Sequence, residues 1–246
     1  PAGYATEKLD PGERCKGLQV ALVHMREVGL KADFLASFTG QGPLTAEGYR
    51  QAETAALGQV GAIRRLALEM HPDRVGLALT PVELVKIAAS GRKVVAIGLE
   101  NGYPLGEDTG NLKKFYDLGV RYVTLSHVGH NQICDSANRL WGGSASEGGD
   151  TLDAAGVKVL RFVLYAEIYY SESQAEPRWK GLSPLGEKMV REMNRLGMMI
   201  DLAHVSDSTF YDVLNLSRAP VIVSHGSCRA LSALARNLSD EQILAL

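Results

Sequence analysis

The sequence predicts an α/β domain built on parallel strands, and three observations carry that expectation. First, Met198 to Ala203 and Pro220 to Ser224 are short apolar runs, and between them Phe210, Val213, Leu214 and Leu216 form one helical face after a Ser206-Asp207 N-cap. Strand, helix and strand in that order make a βαβ unit, which favours parallel neighbours and a right-handed crossover. Second, Val94-Val95-Ala96-Ile97-Gly98-Leu99 is an almost unbroken apolar run, the pattern of a strand covered on both faces. Third, four successive strand candidates finish on residues with chemistry, namely Glu100, His127, His204 and His225. In parallel barrels the carboxyl ends of strands carry the active groups.

Taken in order, residues 1–17 are polar and punctuated by Gly and Pro. Gly17 to Val28 reads as a helix with Leu18, Leu22, Met25 and Val28 on one face, and His24 as a surface or capping side chain. Ala32 to Phe38 reads as a strand. Thr45 opens a long helix to about Met70, which His71-Pro72 ends because a residue before proline leaves the helical region. His71 is assigned no chemistry. Pro81 to Ala89 is a short helix stopped by Gly91, and Leu112 to Leu118 is a helix capped by Gly119. Arg121 to Ser126 is the strand that leads into His127. Gly142 to Gly149 is a loop, and Val157 to Tyr165 has a mixed period that fits strand or helix. Glu187 to Leu196 is a helix with Met189, Val190, Met193 and Leu196 inward, ended by Gly197. Ser239 with Gln242 forms a capping box for a last helix. No internal repeat is visible.

The 246 residues fit one large domain or two small ones, and 46% apolar with 22% charged residues is ordinary for a soluble globular protein. A net charge of -2 gives no reason to expect nucleic acid or an anionic membrane as partner. No run of 18 apolar residues occurs, so no transmembrane helix is expected. The first residues, PAGYATEKLD, lack a basic start and an apolar stretch, so no signal peptide is expected in them. The compartment is left open. Cys15, Cys134 and Cys228 are odd in number and lack CxxC spacing, which reads as buried free thiols.

One histidine after a strand reads most simply as a hydrogen-bonded loop residue. Two at matched places in consecutive units raise His204 and His225 above that reading. With Glu100 and His127 they form a carboxylate-and-imidazole set suited to a divalent ion such as zinc. Glu100, followed by Asn101-Gly102, is not a core residue by preference. Asp201 and Asn101 are candidates for residues that orient the ligands, with a structural strand role as the competing reading of Asp201. His130 is a lesser candidate. Asp135 and Asn138 either line the pocket or cap turns. Tyr169, Tyr170 and Trp179 read as packing.

Several segments then resemble one family. They are VVAIGLENGYPLG, FYDLGVRYVTLSHVGHNQICDSAN, GLSPLGEKMVREMNRLGMMIDLAHVSDSTFYDVL, PVIVSHGSCRAL and ARNLSD. They are similar to the membrane dipeptidase (renal dipeptidase) family of zinc peptidases, over most of 17–138 and 181–246. The resemblance implies a (β/α)8 TIM-type barrel of the amidohydrolase-like kind, holding two zinc ions. It implies that Glu100 bridges both metals and that His204 and His225 bind one of them. His127 would contact the substrate and help stabilise the tetrahedral oxyanion, and Arg236 would grip the terminal carboxylate of a dipeptide substrate. The implied activity is hydrolysis of dipeptides by metal-activated hydroxide. Two alternatives stand beside it. One is a truncated or degenerate relative that binds metal or peptide without turnover, and the other is a different amidohydrolase-type barrel enzyme.

The chain departs from the family pattern in three places. No His-x-Asp pair precedes residue 33, the late-barrel aspartate would lie beyond Leu246, and 139–180 is longer than expected between the two motifs and matches no family segment quoted above. Ligands for one of two zinc ions are therefore visible, and five strands are recognisable where closure needs eight. The expectation is a single partial barrel domain over 1–246, trimmed at both ends, with 139–180 as an insertion. A divergent protein in which 139–180 supplies further strands is the alternative. Alone, such a chain should be unstable, self-associating or dependent on missing pieces, and a homodimer is open.

Overall fold

The computed structural model describes residues 9–14, 21–138 and 175–246. Helices and strands alternate: α1 (Leu22–Glu27), β1 (Ala32–Phe38), α2 (Ala46–Arg65, continued by a π-helical turn at Leu66–Met70), β2 (Val75–Leu77), α3 (Pro81–Ala89), β3 (Lys93–Glu100), α4 (Gly110–Asp117), β4 (Val120–Thr124), α5 (Pro184–Leu196), β5 (Met199–Asp201), α6 (Asp207–Leu216) and α7 (Asp240–Ala245). All strand pairs are parallel. β3 pairs with β1, with β4 and, at its start, with β2, and β4 pairs with β5.

The two-residue period of the strands divides their side chains between two environments. Leu35, Val95, Ile97, Leu99, Val123, Leu125, Ile200 and Leu202 join Ile63, Phe115, Met189, Met193 and Phe210 of the helices in the main core. The alternate residues, among them Phe34, Ala36, Ala96, Gly98, Tyr122 and Thr124, face the other way. There Phe34 meets Tyr122 edge-on at 5.2 Å between ring centroids, and the Tyr122 ring lies where a Cβ on Gly98 would be, 2.1 Å away. This inner face curls. Ala32 and Phe34 of β1 line one cavity of about 430 Å³ together with Ile222 and Ser224, which come from the far side of the sheet. The result is part of a (β/α)8 barrel, with helices outside and strands inside. Among the described residues it is open between β1 and the 220–224 segment.

The helix ends follow the local chemistry that the sequence announces. Thr45, Ser183 and Ser206 each accept a backbone N–H in the first helical turn, and Thr80 with Glu83 and Ser239 with Gln242 form capping boxes. Gly91, Gly119 and Gly197 adopt φ of 84°, 106° and 72° at the expected stops.

Four expectations need correction. Of the helix expected over Gly17–Val28, residues 17–20 lie outside the described residues; Ala21 is extended, the helix runs Leu22–Glu27, and Val28 is 76% exposed because the chain turns out at Gly29. β2 was not anticipated, since three residues are too few to show a period. The strands expected over 121–126 and 198–203 stop at Thr124 and Asp201. Pro220 to Ser224 is not a full strand. It touches the sheet through Ile222 opposite Asp201, with backbone bonds from Leu202 N and to Ile200 O, and among the described residues it is held on one side only.

The Gly142–Gly149 and Val157–Tyr165 readings, Tyr169 and Tyr170, and the 139–180 insertion up to residue 174, lie outside the described residues. Cys134 is buried and Cys228 half-buried, both free, and Cys15 lies outside the described set. Among the described residues no helix is long and apolar enough to cross a membrane.

Candidate metal centre

Register sets the site. Glu100 aligns with Thr124, Thr124 with Asp201, and Asp201 with Ile222. His127, His204 and His225 each follow their member of this row by the same three positions. The histidines therefore do not end their strands, as the sequence suggested, but stand in the turns just beyond. Their equal offset brings them together over Glu100. Two turns need left-handed backbone, Asn101 at φ 78° and His204 at φ 68°, a region that Asn and His enter more readily than most residues.

The donor atoms converge. Glu100 Oε1 lies 3.6 Å from His127 Nε2, 3.8 Å from His204 Nε2 and 3.7 Å from His225 Nε2. His204 Nε2 and His225 Nε2 are 2.8 Å apart. The His127 and His204 rings pack at 4.0 Å between centroids, and the Phe38 ring lies 4.7 Å from that of His127. Ser136 ties the two turns, its hydroxyl lying against the His127 carbonyl and 3.1 Å from that of His204. The sequence reading set His127 apart as a substrate contact. In the structure it is as close to Glu100 as the other two, and Glu100, His127 and His204 have donor atoms within 4.8 Å of one another.

Burial governs the charges. It pushes the His127 imidazole down to about 4 and lowers His204 and His225 as well, with the Arg236 guanidinium adding to each. It raises Glu100, with Asp201 reinforcing and Arg236 opposing. The imidazoles are thus held neutral, the form that ligates a cation, beside a carboxylate that is costly to bury charged. Two neutral imidazoles meeting Nε2 to Nε2 are satisfied by one shared proton or by a cation that both bind. Among the described residues His204 Nδ1 has no hydrogen-bond partner. This donor set fits a divalent metal ion.

Arg236 lies close by, its Nη2 donating to the His225 carbonyl at 3.3 Å. The turn that carries it is clamped by Arg229, which pairs with both Asp207 oxygens and donates to the carbonyls of Ala235 and Asn237. Asn101 is buried and works on the backbone. It donates to Thr39 O and accepts from Tyr103 N and Asn131 Nδ2. Asp201 accepts from Thr124 Oγ1, Ala203 N, Ser224 N and Ser224 Oγ, and so staples three segments of the sheet. His130 stands outside the cluster, bonded to Glu176 O and close to Asp135. Asp135 caps a turn, accepting from the backbone of Arg178, Trp179 and Gly181. The Trp179 indole donates to Asn131 O. Sequence reading missed Phe38, Ser136, Ser224 and Arg229. Only Ser224 carried a signal, as the hydroxyl next to a candidate ligand.

A model of the membrane dipeptidase family (peptidase family M19) matches residues 8–163 and 150–246. Dipeptidase tcpJ of Claviceps purpurea is 36% identical over 182 residues, 74% of this chain and 34% of that protein. Among solved structures, the probable dipeptidase PvdM from Pseudomonas aeruginosa matches with a TM-score of 0.76 at 28% identity, covering 95% of this chain and 52% of that one. Dipeptidase AC, a metallopeptidase, matches with a TM-score of 0.72 at 25% identity, covering 100% and 64%. This chain thus spans about a third of the length of the Claviceps relative. Because the family model covers well over half of its residues, the chain belongs to the membrane dipeptidase family, peptidase family M19.

Proposed function

We propose that this chain carries a large part of the active site of a zinc-dependent dipeptidase, a hydrolase of the peptide bond in dipeptides. The observation that supports this most is the convergence of Glu100, His127, His204 and His225 at the carboxyl end of a parallel sheet, with Arg236 beside them. In this reading Glu100, His204 and His225 would hold zinc, and Glu100 would also be a ligand of a second ion. Bound zinc supplies an activated water and polarises the scissile carbonyl. His127, neutral at working pH, donates a hydrogen bond to the carbonyl oxygen as negative charge develops there. Arg236 offers a planar fork to the carboxylate of the second residue, which selects substrates that end at that point.

Zinc content after dialysis, measured beside a His204→Ala/His225→Ala variant, tests the reading. We expect about one tightly held zinc per chain, lost in the variant. Equal zinc in both would overturn the assignment. His127→Gln separates ligand from substrate contact. Zinc is retained and dipeptide hydrolysis falls by 10²-fold or more, on the order of one lost oxyanion donor. Zinc lost as fully as in the double variant would move His127 into the ligand set. A second reading, binding without turnover, is favoured by the open inner face of the described sheet. It predicts zinc binding with no release of amino acids from a dipeptide.

A further inference from the structure

We infer that Ser224 is a positioning residue that fixes the ring orientation and tautomer of His225, so that its Nε2 presents a bare lone pair to the metal site. This rests on the metal reading above and goes beyond it, to how the ligand is held.

The hydrogen-bond chemistry leaves one arrangement. Ser224 Oγ lies 2.6 Å from Asp201 Oδ2 and 2.9 Å from His225 Nδ1. A carboxylate oxygen can only accept, so the single hydroxyl proton of Ser224 goes to Asp201. The Ser224 oxygen then accepts from His225 Nδ1–H, and His225 Nε2 is left unprotonated. That is the nitrogen 3.7 Å from Glu100 Oε1 and 2.8 Å from His204 Nε2. In the metal-free chain, this 2.8 Å contact is therefore a hydrogen bond donated by His204 Nε2–H. His204 Nδ1 is then a bare acceptor, and it has no hydrogen-bond partner among the described residues.

The two ligand histidines are held by different means. His204 has 1% of its side chain exposed and is fixed by packing on the His127 ring. His225 has 43% exposed, too much for packing alone to select one ring orientation. The relay from Asp201 through Ser224 does that work. Asp201 is itself immobile, being fully buried and bonded to Thr124 Oγ1, Ala203 N and Ser224 N. A carboxylate one hydroxyl away also raises the basicity of the ligating nitrogen, as hydrogen-bonded partners of metal-bound histidines do.

The test uses Ser224→Ala and Ser224→Thr in the full chain. Ser224→Ala keeps the backbone bond from residue 224 to Asp201 Oδ1 at 2.8 Å, so the local chain path is retained. Nitrogen-15 spectra of the metal-free imidazoles should show His225 as the Nδ1–H tautomer in the parent chain. They should show a shift towards Nε2–H, the form free histidine prefers, in Ser224→Ala, and the parent signature again in Ser224→Thr. Zinc affinity, read by competition with a chelator at pH above 7, should fall about 10- to 100-fold in Ser224→Ala and recover in Ser224→Thr. A variant that merely loosened the fold would lower the melting temperature without moving the tautomer. An unchanged tautomer and unchanged zinc affinity in Ser224→Ala would overturn the inference. Failure of the parent chain to bind zinc would instead overturn the metal reading, while the tautomer signature would still decide the role of Ser224.

Discussion

At the scale of single residues, the site is a group of neutral imidazoles around a carboxylate, and its pH behaviour follows from burial. His127 is held neutral down to about pH 4 in the folded chain, whereas an unfolded imidazole takes its proton near 6.5. Its contribution is fully present above about pH 6.5 and is lost as pH falls from there towards 4, because the unfolded state then binds more protons. His204 and His225 act in the same direction. Glu100 is raised and acts oppositely. The stability of its neutral form is present in acid and is lost as pH rises through the ordinary carboxylate range. We expect the melting temperature of the metal-free chain to drop between pH 7 and 5, with a shallower slope in His127→Gln. An equal slope in parent and variant would show that His127 takes its proton normally. At neutral pH zinc should raise the melting temperature, since a cation bound at 100 times its Kd adds about 2.7 kcal/mol.

At the scale of elements, the register of β3 against β4 depends on a missing side chain. Tyr122 fills the space over Gly98, so Gly98→Ala forces the ring off its place against Phe34. Overpacking of this kind costs about 1–3 kcal/mol, and we expect the denaturation midpoint to fall accordingly. Gly61 in α2 is the contrast. Nothing lies within 4 Å of its Cβ position, and Gly61→Ala should stabilise the chain by about 0.5–1 kcal/mol through helix propensity. If Gly98→Ala proved as harmless as Gly61→Ala, the inner face would be looser than the structure has it. Helix limits were legible in the sequence wherever one local bond decides them, as at Thr80 with Glu83 or Ser239 with Gln242. The 220–224 segment was over-read. Its apolar run is real, but strand pairing depends on neighbours, and among the described residues only Ile222 finds one.

At the scale of the whole molecule, the described sheet presents two open edges, β1 and the 220–224 segment. Phe34 and Phe38 are each 41% exposed on its inner face. Unpaired edge and exposed aromatic surface favour association. We expect the sedimentation coefficient of the chain to rise with concentration. A single species across a hundredfold range of concentration would mean that these edges are covered.

The sequence by itself determined the βα alternation, the helix caps and the four residue types at the carboxyl ends, Glu100, His127, His204 and His225. Those signals are local, written in a period, a cap or a neighbouring residue. It also carried the family, through segments such as DLAHVS and PVIVSHGS. The tertiary structure decided what depends on register. Alignment of Glu100, Thr124, Asp201 and Ile222 places three histidines at one common offset over the carboxylate. The same alignment puts His127 level with the expected ligands and joins Asp201 to His225 through Ser224. No one-dimensional spacing encodes these contacts, because residues 100, 127, 201 and 225 meet only when parallel strands lie side by side.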